Sequence, residues 1–239
     1  MIALIMKIVA VSLILLVGSS LLGCTSSKIT ASETDISSGP ASSAQTLSTP
    51  AAEATATAQD FLIVPGERVG PITKNTTYNE LATLFEETAL TDTVWAGPEG
   101  LFNLPATTVN LGEDRSFQVV WLDQARTQLY SVTGFGSDWQ TPEGVYVGMP
   151  LSELEEILGP FQLSGFGWDY GGYAFLEGTR LAKYQGQLYV RLSPSQSADI
   201  RESDLLAVSG EGVFDSDHPS VQAIAPTVAN LDVEFRQLE

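Results

Sequence analysis

The sequence predicts an α+β fold made of two tandem modules, each a short helix packed on an antiparallel sheet. Three pairs of segments carry that prediction. Tyr78–Phe85 and Leu151–Leu158 place apolar residues at the same four positions, 73 residues apart. Residues 117–122 and 188–192 are both rich in aromatic and β-branched side chains, offset by 71. Residues 130–136 and 206–212 share a Val, then Thr or Ser, then Gly-x-Gly, offset by 76. Matched segments in one order at one spacing are the signature of a repeated unit. The modules are expected at 60–137 and 138–239.

The chain opens with Lys7, an apolar run from Ile8 to Val17, and Gly23 before the single Cys, Cys24. The run is too short for a bilayer span, which needs about 20 apolar residues, and its order of charge, apolar core and small residue is that of a secretory signal. Residues 1–23 are therefore expected to be a signal peptide, with Met6 as the initiator because Lys7 and the core follow it directly.

Residues 24–59 change character. Of the 35 residues from Thr25 to Gln59, 23 are Ser, Thr or Ala, with no aromatic residue and four charges. Such a composition buries too little apolar surface to offset the entropy of ordering it. It reads as a disordered tether with a mean reach of about 33 Å. All four Trp, seven Tyr and ten Phe lie beyond it.

In the first module, Thr77 with Glu80 three residues on forms a capping box, and Leu81, Leu84 and Phe85 form one apolar face. Asn75-Thr76-Thr77 matches a glycosylation sequon, but starting this helix is its expected work. In the second module, Pro150 stands at the helix start and Gly159-Pro160 at its stop. Helices of two to three turns need a packing surface to persist. Downstream, residues 161–175 hold aromatic or Leu residues punctuated by glycines. Alternation at Phe161, Leu163, Tyr173 and Phe175 predicts a hairpin with one buried face and a turn at Asp169 to Gly172. That turn would present Trp168 and Tyr170 near an edge. Trp168, Tyr170 and Tyr173 are the candidate binding residues, because Trp and Tyr bury much area at little rotamer cost.

Groups for catalysis are few. His218 is the only imidazole, in the Asp, Ser and Pro-rich segment around Asp215 and Asp217, and no Gly-x-Ser-x-Gly elbow faces it. It is expected to be a loop residue or the cap of a helix start. Asp215, Asp217 and His218 make neither a zinc set nor a twelve-residue calcium loop. Glu153, Glu155 and Glu156 read as a solvated helix face. The Gly-x-Gly stretches lack the Lys-Ser/Thr ending of a phosphate loop. No metal, no nucleotide and no other cofactor is expected, and the formal charge of -18 excludes nucleic acid as a partner.

Leu21-Leu22-Gly23-Cys24 resembles the lipobox of bacterial lipoproteins. That resemblance implies cleavage before Cys24, a diacylglycerol on its thiol, and further acylation of the new amine by chains such as palmitate. Two or three acyl chains, at about 0.8 kcal/mol per buried CH₂, hold a protein on a membrane essentially permanently. Gly148-Met149-Pro150-Leu151-Ser152-Glu153-Leu154 through Leu158-Gly159 resembles a motif of the small SmpA/OmlA (BamE) envelope lipoproteins, and the tandem layout is similar to the β-lactamase-inhibitor-protein type of fold. Together these imply a lipid-anchored protein of the bacterial cell envelope, in the outer membrane where there is one, with its folded part outside the cytoplasm. The expected function is non-catalytic binding or assembly of an envelope protein partner. A carboxylate-based hydrolase or binder of cell-wall or extracellular glycan is the first alternative, and a structural envelope lipoprotein without specific ligand is the second.

Overall fold

A computed structural model describes residues 60–196 and 199–237. The signal segment, Cys24 and the tether lie outside the described residues. Three two-residue strands, β1 (Ile63–Val64), β2 (Arg68–Val69) and β3 (Ile72–Thr73), form a small antiparallel sheet that leads into helix α1 (Tyr78–Phe85). The predicted capping box is made in full. Thr77 N–H donates to Glu80 Oε2 at 2.8 Å and Glu80 N–H to Thr77 Oγ1 at 3.4 Å.

Four strands follow in a meander: β4 (Leu90–Ala96), β5 (Asn103–Val109), β6 (Phe117–Trp121) and β7 (Leu129–Thr133). Helix α2 (Leu151–Leu158) then buries Leu151, Leu154 and Leu158 and stops at Gly159, whose φ of 79° suits a residue without Cβ. Next come β8 (Gln162–Ser164), β9 (Ala174–Phe175), β10 (Leu188–Ser193), helix α3 (Glu202–Ala207), β11 (Val213–Asp215), helix α4 (Pro219–Ala223) and β12 (Thr227–Glu234).

The class is α+β, with short helices on antiparallel sheets in both halves of the chain. The largest sheet has six strands in the order β10-β12-β7-β6-β5-β4, and a three-stranded sheet runs β11-β8-β9. The last strand, β12, enters between β10 and β7, pairing Leu188 with Val233 on one side and Val132 with Val233 on the other. One sheet therefore draws strands from both sides of residue 137. The third matched pair differs in structure, since residues 129–133 are strand whereas 202–207 are helix. The shared Gly-x-Gly specifies a chain reversal and says nothing of the element ahead of it.

The two faces of the six-stranded sheet are unlike. On one, Val119, Trp121, Val132, Val190, Leu231 and Val233 are buried in a single core beneath the helices. Trp139 lies within that core, edge-on to Phe117 with centroids 5.1 Å apart, and its indole N–H donates to Arg115 O at 2.8 Å. On the other face a small apolar cluster of Ala106, Val120 and Tyr130 packs with Trp95, Leu104 and Leu122. Beside it lie the polar residues of β10 and β12.

Candidate functional site

Strand alternation puts Leu231 and Val233 in the core, so Asn230, Asp232 and Glu234 project to the opposite face. In β10 the same rule buries Val190 and turns Tyr189 and Arg191 outward. Tyr130 arrives there by a bulge. Val120 pairs with Ser131 and Trp121 with Leu129, so Tyr130 is the unpaired residue, and the bulge turns its ring to the outer face.

These residues floor a cleft of about 310 Å³. One wall is the end of β4, with Trp95 and Ala96, and the turn after it, with Gly97 and Pro98; the other is the 168–173 turn, with Asp169 and Tyr173. The rims touch where Glu99 N–H donates to Asp169 Oδ2 at 2.7 Å.

Arg191 holds the second wall. Its Nε donates to Gly171 O at 3.0 Å, a longer bond reaches Trp168 O at 3.4 Å, and its guanidinium lies 5.6 Å from the Tyr173 ring centroid. Leu192 N–H donates to Gly172 O at 2.8 Å, drawing the turn onto the edge of β10. Gly172 is needed for that approach: its φ is 80°, and a Cβ there would strike the Leu192 carbonyl oxygen.

The floor is a hydrogen-bonded set built around two carboxyl groups. Tyr130 hydroxyl donates to Glu234 Oε1 at 2.7 Å and Tyr189 hydroxyl to Oε2 at 3.1 Å. Thr133 hydroxyl donates to Asp232 Oδ1, and Asn230 Nδ2 donates to Oδ2 at 2.9 Å. Burial pushes both carboxyl groups above their ordinary range. For Asp232 the bonds from Thr133 and Asn230 and the charge of Arg191 oppose this; for Glu234 the two phenols oppose it while the charge of Asp232 adds to it. Burial first, then the neighbouring carboxylate charge, drives the phenols of Tyr130, Tyr189 and Tyr173 upward, so at neutral pH they remain protonated donors.

Of the sequence-predicted binding residues, Tyr173 lines the cleft, whereas Trp168 and Tyr170 stand behind its rim. Those two rings pack edge-on at 5.3 Å, and Trp168 Nε1 donates to Gly165 O at 3.0 Å, so the pair stiffens the turn that carries Asp169 and Tyr173. Cys24 lies outside the described residues. His218 caps α4 by accepting from Ser220 N–H at 3.2 Å, and Asp215 accepts from Gln162 at 2.9 Å across β11 and β8. Asp217 lies in the turn between β11 and α4 and does not line the cleft. Glu153 and Glu155 accept from Tyr146 and Gln222, and Glu156 is exposed. Among the described residues no helix is long and apolar enough to cross a membrane. Sequence reasoning missed Tyr130, Tyr189, Arg191, Asp232 and Glu234. The signal available was the strict alternation of Leu231-Asp232-Val233-Glu234, which marks a strand with one polar face.

No protein-family model matches the chain, and no curated protein matches it. Among solved structures the chain is similar to the crystal structure of the uncharacterized protein yfeY from Escherichia coli. Identity is 15%, the match covers 72% of this chain and 98% of that one, and the TM-score is 0.43.

Proposed function

We propose that this is a lipid-anchored protein of the cell envelope, held through acyl chains on Cys24, that works as a non-catalytic binding or assembly module for another envelope protein. The observation that supports this best is the aromatic-walled cleft on the outer face of the six-stranded sheet. It is concave and partly apolar, with a few convergent polar groups whose ionisation is perturbed, as binding sites are. Its floor is braced by hydrogen bonds, so a partner meets groups already in place and spends little ordering them.

The test is photo-crosslinking in native membranes from a probe at Ala96, an exposed position on the rim. A discrete protein adduct that is lost in Glu234→Gln and in the double variant Trp168→Ala/Tyr170→Ala supports the reading. An adduct indifferent to both variants, or none from correctly localised protein, overturns it.

One observation favours a second reading. Asp232 and Glu234 lie two residues apart on one strand and bring both carboxyl groups to one cleft, and a pair of carboxyl groups is what glycoside hydrolysis uses. Release of reducing ends from cell-wall glycan, abolished by Asp232→Asn, would establish a hydrolase in place of the binding module.

A further inference from the structure

We propose that the cleft receives a cationic side chain, the ammonium of a Lys or the guanidinium of an Arg, presented by the protein partner. The inference rests on the binding reading above and specifies its chemistry.

The hydroxyls of Tyr130, Tyr189 and Thr133 already donate to the two carboxyl groups, and so does the Asn230 amide. Arg191 spends Nε and one terminal nitrogen on the carbonyls of Gly171 and Trp168. Each of the four carboxylate oxygens of Asp232 and Glu234 accepts one bond from these residues, yet a carboxylate has about four lone-pair positions. Around the two carboxyl groups, what the floor offers an incoming group is therefore acceptor capacity, while the Tyr173 hydroxyl and the other terminal nitrogen of Arg191 stand as donors at the wall. Lys and Arg are donor-only groups and match it without leaving a ligand acceptor unpaired. A phosphate or carboxylate would bring acceptors against acceptors.

Three carboxyl groups, Asp169, Asp232 and Glu234, line the cleft against the single cation Arg191, which is turned to the wall. Burial has raised both floor carboxyl groups, so a negative charge on either is poorly compensated by the residues around it. An added cation supplies the missing counter-charge in a partly desolvated place, where it counts for more than at an open surface.

Trp95, Tyr130, Tyr173 and Tyr189 bring aromatic rings to the same space, and Trp95 stands edge-on to Tyr130 at 6.1 Å. These rings pack the aliphatic stem of Lys or Arg. The cleft, at about 310 Å³, admits one side chain and no secondary-structure element.

The experiment titrates the full-length lipidated chain in detergent micelles with short peptides carrying a central Lys, Arg or norleucine, and with butylammonium, following Trp fluorescence and heat. Expected are saturable binding of the Lys and Arg peptides, at least tenfold weaker binding of the norleucine peptide, and at least tenfold loss of Lys-peptide affinity in Glu234→Gln. Asp232→Asn, which keeps the size of the side chain and removes its charge, should lower Lys-peptide affinity in the same way. Norleucine binding within threefold of Lys, or unchanged Lys affinity in both variants, overturns the proposal. Butylammonium binding tenfold tighter than the Lys peptide also overturns it, making the cleft a site for a free small amine. A cleft-dependent crosslinked partner with no Lys or Arg peptide binding defeats this chemistry and leaves the binding reading standing. Failure of crosslinking defeats the binding reading itself.

Discussion

Replacing Tyr130 with Phe removes one hydroxyl and little else. The ring keeps its place against Trp95 and the Ala106–Val120 cluster, while Glu234 Oε1 loses the donor that stood 2.7 Å away. Glu234 retains Tyr189 on its other oxygen. A hydrogen bond to a charged group contributes about 1.5 to 3 kcal/mol, and a buried oxygen left without it bears the loss in full. We expect Tyr130→Phe to cost about 2 kcal/mol at pH 7, which for a domain of this size lowers Tm by about 4 to 8 °C. The cost should also depend on pH. The lost bond favoured charged Glu234, so the variant raises the carboxyl further above its unfolded value. Stability linked to a raised carboxyl is present below the unfolded value and is lost as pH rises through the folded one. The deficit therefore shrinks on acidification, to about 1 kcal/mol once Glu234 is protonated and the bond is an ordinary neutral one. Urea denaturation at pH 7 and pH 4.5, repeated in a Glu234→Gln background, checks both parts. A coupling of about 1 to 2 kcal/mol between the two positions is expected. Equal cost in both backgrounds and at both pH values would show that Tyr130 acts only through its ring.

Other outcomes follow from the same account. Gly172→Ala should destabilise by more than 1 kcal/mol and move Tyr173 from the cleft, read as a changed Trp and Tyr near-ultraviolet signal, because a Cβ there meets the Leu192 carbonyl at positive φ. Burial raises Asp232 and Glu234 alike, so wild-type stability should increase as pH falls from neutral toward the ordinary carboxylate range. The double variant Asp232→Asn/Glu234→Gln should flatten that slope in a series of melting curves. Over the same interval Lys-peptide affinity should fall as the carboxyl groups lose charge, a decline seen by calorimetry. Thr77→Ala removes one half of the capping box on α1 and should cost about 1 kcal/mol in urea melts without touching peptide binding.

Much of the fold was legible because its signals are local. Thr77 and Glu80 announced α1, Gly159-Pro160 closed α2, and the aromatic and β-branched runs marked β6 and β10. The exception among the matched segments, strand at Tyr130 against helix at Leu206, arises because shared turn glycines do not specify the element that precedes them. The cleft was largely illegible for a non-local reason. Its residues come from five stretches of chain that meet only when β12 inserts between β7 and β10. Tyr130 faces the cleft because of a bulge, which no spacing in β7 foretells. The aromatic turn was singled out for Trp168 and Tyr170, the residues that stiffen it, while the acidic pair it overhangs lay about 60 residues downstream.

The central claim, that the outer sheet face is where a partner docks, is tested most directly by photo-crosslinking at two exposed positions in membranes: Ala96 at the cleft rim and Leu206 on α3, outside the cleft. One protein adduct is expected from Ala96, absent from Leu206 and absent when Glu234→Gln is added. The same adduct from both positions, or one from Leu206 alone, would contradict it.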